Sequence, residues 1–126
     1  SPLANGLLSK CYNTESMFDT QTDYRAAMPQ YQKDSFEKNK CLFEMIEQLA
    51  MEKHATPAQI SLAWMMSKKP WIVPIPGTRC LCRLKENIGA ADISFSQEEV
   101  AAIDKLLSTM EMSEVFGGSR IVDKAQ

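Results

Sequence analysis

Between residues 70 and 77 the chain places three prolines, Pro70, Pro74 and Pro76, around the short apolar run Trp71-Ile72-Val73. Proline has no backbone N–H, so Pro70 stops whatever helix precedes it, and Pro74 and Pro76 each remove a ladder donor. Regular pairing is therefore confined to a few residues, a short buried strand that Gly77 turns toward a helix. A second strand end is read at Ser1-Pro2-Leu3, ahead of a glycine turn at Gly6. Strands that alternate with helices pair in parallel, and parallel pairing needs neighbours on both faces. A closed sheet of that class uses eight strands and about 250 residues. The 126 residues here supply roughly two of those eight units. The expected fold class is α/β, with about two parallel strands and four or five helices.

The helices are read from periodicity and end signals. Leu42, Met45, Ile46 and Leu49 recur at helical spacing, with Glu44, Glu47 and Glu52 largely on other faces, until His54-Ala55 closes the stretch. Thr56-Pro57-Ala58-Gln59 opens the next helix, with threonine as cap, proline at the first position and glutamine able to complete a capping box. Ile60, Leu62, Ala63, Trp64, Met65 and Met66 make that helix apolar nearly all round, which demands burial on most sides. A helix with Leu81, Leu84 and Ile88 follows Gly77 and ends at Gly89. Ser96-Gln97-Glu98-Glu99 is a second capping box, before a helix that turns Val100, Ile103 and Leu107 inward. From Glu111 to Gln126 periodicity fades, and a tail over the domain is expected. Residues 13 to 34 are polar and turn-rich with no sustained period. A functional cover and a disordered surface excursion both fit that stretch.

Composition narrows the function classes. A formal net charge of −2 argues against a general nucleic-acid or anionic-membrane binder. No apolar run reaches the roughly 20 residues that span a bilayer, and the first residues lack a signal-peptide pattern, so a cytoplasmic protein is expected. Cys11, Cys41, Cys80 and Cys82 show no framework spacing and are read as reduced side chains without a cofactor role. The single histidine, His54, leaves no set of metal ligands, and none is assigned.

The stretch with chemistry is Ile75-Pro76-Gly77-Thr78-Arg79-Cys80-Leu81-Cys82-Arg83-Leu84-Lys85-Glu86-Asn87. It lies where a strand hands over to a helix start, and there free N–H groups and the helix dipole attract an anion. Gly77 allows close backbone approach and Thr78 offers a hydroxyl. Arg79 and Arg83 offer two guanidinium forks suited to phosphate oxygens. Glu86 and Asn87, one turn on, could meet an adenine edge. A solvated helix start with ordinary surface arginines stands beside this reading on spacing alone.

The run Ile-Pro-Gly-Thr-Arg at 75–79, with Arg83-Leu84 and Glu86-Asn87 behind it, resembles the NADP-binding signature of the aldo-keto reductase family. Three further stretches resemble the family in order. They are the seventh strand and its pyrophosphate-side loop at residues 1–8, the helix before the eighth strand at 56–64, and the turn ending the eighth helix at 87–92. The resemblance implies a (β/α)8 TIM barrel that uses NADPH to reduce aldehydes or ketones, with this chain as its C-terminal part. Phosphate sites in such barrels follow strands seven and eight, where these motifs fall. Ser1, Leu3, Asn5 and Gly6 would line the pyrophosphate side; Thr78, Arg79 and Arg83, with Gly77, would hold the 2′-phosphate; Glu86 and Asn87 would meet adenine. The implied division is residues 1–12 as strand seven and its loop, 13–35 as a loop, 36–69 as a helix pair, 70–92 as strand eight with its phosphate loop and helix, and 93–126 as an extra helix and tail.

Two departures qualify that resemblance. Relatives often place Gly-Lys before the tyrosine matching Tyr12, where this chain has Lys10-Cys11. The family's catalytic Asp, Tyr, Lys and His come from earlier strands, as does the tyrosine that stacks on nicotinamide. No catalytic residue is assigned here, and these residues alone are expected to be inactive. His54 reads as a helix-end residue, and Tyr12, Tyr24 and Tyr31 lack a Lys–Asp pair that could tune an acid. Expected partners are a small carbonyl substrate in the complete protein, with no nucleic acid and no membrane, and either self-association or pairing with the rest of the barrel. A non-enzymatic nucleotide-binding or regulatory subunit, since related barrels serve as ion-channel partners, and a truncated gene product without independent function are the competing readings.

Overall fold

The computed structural model describes residues 1–115. Five α-helices form among them: α1 (Lys33–Lys38), α2 (Lys40–Glu52), α3 (Pro57–Lys68), α4 (Leu81–Gly89) and α5 (Gln97–Thr109). Short 3-10 segments lie at Ala4–Ser9, Tyr24–Ala27, Pro29–Tyr31 and Ala90–Asp92. The all-round apolar helix α3 is the hub, packing against α2, α4, α5 and the amino-terminal 3-10 segment. Its Ala58, Ile60, Leu62 and Ala63 are almost wholly buried. Ile60 meets Ile46 and Ala50 of α2, and Leu8, Leu42, Met45, Leu49 and Phe95 close around them.

The helix ends follow local chemistry. Thr56 accepts from the Gln59 N–H at 3.3 Å while the Gln59 side chain accepts from the Thr56 N–H at 3.0 Å. Ser96 and Glu99 repeat the arrangement at α5. Each box satisfies two donors that a helix start leaves open. His54 closes α2 with a positive φ of 51°, exposed, and Ala55 N–H returns to the Ala50 carbonyl at 2.8 Å. Helix α5 is tied to α3 where the Trp64 indole N–H donates to Asp104 at 3.1 Å, and Lys68 pairs with the same carboxylate. Beyond α5 the chain is tied back to Asn39: this buried side chain donates to Ser113 Oγ at 2.8 Å and accepts from Ser113 N–H at 2.9 Å. The rest of the expected tail lies outside the described residues.

The two strands do not form. Among the described residues there is no β-ladder. Residues 71–77 nevertheless keep a strand's two-residue alternation: Trp71, Val73 and Ile75 are 73, 78 and 85% exposed, while Ile72, Pro74 and Pro76 are partly covered. The side-chain pattern is that of a strand, but its hydrogen bonds require a neighbour that these residues do not contain. At the amino terminus the difference is conformational. Ala4, Asn5 and Gly6 all have positive φ, and Ser1 and Leu3 carbonyls accept from Ala4 and Gly6 N–H at 3.0 and 2.9 Å, so the chain turns at once. The described part of the expected α/β partial barrel is thus helical, and its apolar α4 residues Leu81, Leu84 and Ile88 are exposed.

Residues 13–35 are also not the structureless loop expected. Tyr31 packs edge to face with Tyr12 and Phe18 at centroid distances of 5.7 and 4.8 Å, Tyr12 and Phe18 meet at a tilt at 5.3 Å, and Phe36 and Phe43 extend the row. The Arg25 guanidinium lies 4.7 Å from the centres of both the Tyr12 and Phe18 rings. Such aromatic and cation–π contacts replace the missing periodicity as the ordering force. Helix α1 begins at Lys33, inside the stretch read as loop.

Candidate functional site

The amino-terminal turn and the Pro76–Asn87 segment face each other across a cavity of about 850 Å³. Ser1, Leu3, Asn5 and Gly6 line one side, and Gly77, Thr78, Arg79, Arg83, Glu86 and Asn87 line the other. All ten residues singled out in the sequence therefore border one space, although more than seventy positions separate the two groups.

On the α4 side, the sequence leaves donors open. The first helical bond runs from Leu84 N–H to the Cys80 carbonyl at 3.0 Å, so Leu81, Cys82 and Arg83 N–H groups have no acceptor within the helix. Cys80 occupies the cap position and its side chain caps nothing. Thr78 Oγ1 accepts from the Cys80 N–H at 3.1 Å, which fixes the hydroxyl at the mouth of the turn. A Cβ placed on Gly77 would meet nothing within 4 Å, so the backbone there is open to close approach. Arg79 is exposed and makes no hydrogen bond or ion pair among the described residues.

Arg83 is held rather than free. One guanidinium nitrogen donates to Glu86 Oε2 at 2.6 Å and another to Cys11 Sγ at 2.5 Å. The Glu86 hydrogen bond, foremost, raises the Arg83 pKa above its ordinary value, with the Cys11 sulfur adding to it. Glu86 is the better covered partner, its side chain 15% exposed against 42% for Arg83. Its carbonyl accepts from Gln59 Nε2 at 2.9 Å, so the glutamine of the α3 capping box also anchors α4.

On the opposite side, Ser1 Oγ accepts from the Asn5 N–H at 2.8 Å, and the Asn5 carbonyl accepts from the Tyr31 hydroxyl at 3.0 Å. The aromatic cluster thereby braces the turn. Burial raises the Tyr31 pKa well above its ordinary value, keeping that donor protonated. Gly6 has φ +100°, and a Cβ there would stand 2.9 Å from Tyr12 Cε2. Only glycine meets both constraints without displacing the ring.

Sequence reasoning missed three polar neighbours of this cavity, Ser9, Cys11 and Arg25, while Tyr12 and Tyr24, among the loop tyrosines that the sequence also offered as a cover over the cofactor, line it as well. Arg25 is a third guanidinium, bound by Asp23 and by the Tyr12 hydroxyl, and its pKa rises chiefly through Asp23. The Asp-Tyr-Arg spacing at 23–25 was the available signal. The reading of four reduced cysteines is also corrected, since Cys80 and Cys82 are disulfide-bonded with their Cα atoms 5.4 Å apart. Cys11 and Cys41 are free and exposed. Lys10 pairs with Glu47 on α2 at 2.7 Å and does not line the cavity. Among the described residues no group of three or more His, Cys, Asp or Glu side chains could hold a metal, and no helix is long and apolar enough to cross a membrane.

Comparison with known proteins gives this geometry its context. The model of the aldo/keto reductase family matches residues 1–108. Aldo-keto reductase str7 of Strobilurus tenacellus is 37% identical over 112 residues, 89% of this chain and 33% of the relative. The Schizosaccharomyces pombe aldo-keto reductase yakc, whose name specifies NADP(+), is 36% identical over 117 residues, 93% of this chain and 33% of the relative. A probable aldo-keto reductase 1 of Glycine max is 38% identical over 92 residues, 73% of this chain and 26% of the relative. The chain spans about a third of the length of the first two relatives it matches. With a family match over most of its residues, the chain belongs to the aldo/keto reductase family.

Proposed function

We propose that the cavity between residues 1–6 and 75–87 is the NADP(H) site of a carbonyl reductase, and that this chain is its cofactor-binding, C-terminal portion. The observation that carries the reading is the shared cavity itself, in which Gly77, Thr78 and the two arginines Arg79 and Arg83 lie on one wall, while the Leu81 and Cys82 N–H groups between those arginines have no acceptor within the helix. Such a donor set suits a doubly charged phosphate, and a space of this size suits a nucleotide. Arg79, with no partner to give up among the described residues, and Arg83 would take the 2′-phosphate beside Thr78. Glu86 and Asn87 would meet the adenine, and the Ser1–Gly6 turn would border the pyrophosphate. When bound, NADPH supplies a hydride for a carbonyl carbon, and the proton for the oxygen is expected from the family's Asp, Tyr, Lys and His set in earlier barrel strands.

The exposed faces fit that reading. Trp71, Val73, Ile75, Leu81, Leu84 and Ile88 offer apolar surface where the remaining barrel would pack, and without it the chain should self-associate. Titration of the full-length protein with NADPH and NADH at two salt concentrations tests the assignment. NADPH should bind more tightly, with a preference that shrinks as salt rises. Equal affinities at low salt would overturn the assignment.

A further inference from the structure

The proposed cofactor does not account for the sulfur beside it. Cys80 is the cap residue of α4 and Cys82 lies in its first turn, and their disulfide closes a ring around Leu81. Both residues are exposed. Arg79 precedes the ring and Arg83 follows it directly, and the Cys80 N–H is the group that holds Thr78 Oγ1. A third sulfur, Cys11, touches Arg83 from across the cavity.

We infer that Cys80 and Cys82 form a reversible redox pair whose disulfide fixes the start of α4 and whose reduction loosens the neighbouring anion-binding turn. In reduction, a dithiol reductant gives up two electrons and two protons. The Cys80–Cys82 S–S bond breaks, two S–H bonds form, and the reductant leaves as its own disulfide. A disulfide oxidant of the glutathione class runs the reverse exchange. Exposure gives both reagents access. While the ring is closed, the cap residue has little freedom, and the Thr78 hydroxyl and first-turn N–H groups keep their directions. Opening it returns rotational freedom to Cys80, whose side chain offers the helix no cap of its own. A ligand must then order the turn as it binds, which lowers affinity. The affinity effect, unlike the redox pair itself, rests on the cavity being the NADP(H) site.

Trypsin cleavage after Arg79 and Arg83 isolates the tetrapeptide Cys80-Leu81-Cys82-Arg83, so its redox state can be read whatever other cysteines the full chain holds. The full chain should be equilibrated with oxidised or reduced glutathione buffers, alkylated and digested. The tetrapeptide should carry no label after oxidation and two labels after reduction, and should return to the unlabelled form on reoxidation. In native limited digestion, cleavage after Arg79 should accelerate on reduction. NADPH affinity should fall about threefold to tenfold on reduction, and the double variant C80S/C82S should bind like the reduced protein under both conditions. A tetrapeptide that carries two labels after oxidation, or cysteines joined to other residues, would overturn the pair. Cycling without a change in Arg79 cleavage would overturn its role in holding the turn. NADPH binding that is equal in both redox states would overturn the link to affinity. Reversible cycling with no NADPH binding in either state would support the redox pair and refute the cofactor assignment instead.

Discussion

Replacing Arg83 with alanine separates a phosphate clamp from a structural ion pair. A charge-assisted hydrogen bond is worth about 1.5–3 kcal/mol when well covered, and an exposed ion pair about 0–1 kcal/mol. The Arg83 side chain is 42% exposed and already shares its charge with Glu86, so an intermediate value applies. About 1–2 kcal/mol corresponds to roughly a five- to thirty-fold loss of NADPH affinity. The variant also leaves the Glu86 carboxylate without its cation beside the proposed 2′-phosphate, which pushes the loss toward the upper end. Adding Glu86→Gln should recover part of it. NADH has no 2′-phosphate, so its affinity should change little. Fluorescence or calorimetric titration of the full-length protein reads both constants, and salt should weaken NADPH binding more steeply in the parent than in the variant. Lys85→Ala, at an exposed site on the same helix, is the control. Equal losses for both cofactors would mean that Arg83 supports the fold through Glu86, and no loss for either would leave Arg79 as the phosphate ligand.

Other consequences are open to direct measurement. Gly6→Ala combines a positive φ with a collision at Tyr12, and should cost about 1–3 kcal/mol of stability in urea unfolding; an unchanged midpoint would contradict the tight turn. Charged substitutions at Trp71, Ile75 and Ile88 should reduce self-association of the 126-residue chain in sedimentation, and a monodisperse parent monomer would refute the exposed-face argument. That chain, mixed with NADPH and reactive aldehydes, should oxidise the cofactor no faster than a protein-free blank, whereas turnover proportional to chain concentration would show a complete acid within it. Lys68 holds the Asp104 carboxyl below its ordinary 3.8, and Lys53 holds Glu99 below its ordinary 4.5. Depressed folded values stabilise above the unfolded ones, so docking of α5 should weaken as pH falls below about 4. Loss on raising the pH from 5 to 8 would reverse the sign and contradict these pairings.

Features written in neighbouring residues are legible in the sequence itself. Thr56 with Gln59 and Ser96 with Glu99 form both capping boxes because the partners lie three residues apart. The Leu42-Met45-Ile46-Leu49 stripe faces the core for the same local reason. What depends on distant residues is not legible in this way. Trp71-Ile72-Val73 has the composition and alternation of a strand, but a ladder also needs a pairing partner, and none forms among the described residues. The order of residues 13–35 comes from Tyr12, Phe18, Arg25, Tyr31, Phe36 and Phe43, whose contacts follow no period. At the site, the Gly77–Asn87 motif names its own donors, while its position opposite Ser1–Gly6 requires the fold. The Cys80–Cys82 bond escapes because spacing alone does not show that a helix cap brings two sulfurs together.

An experimental structure of the full-length protein with NADP(H) bound tests the central claim most directly. The account predicts the 2′-phosphate within about 3 Å of donor nitrogens of Arg79 or Arg83 and of the Thr78 hydroxyl, with the pyrophosphate beside Ser1–Gly6. A cofactor whose phosphates lie away from both segments, with Arg79 and Arg83 still facing solvent, would contradict it.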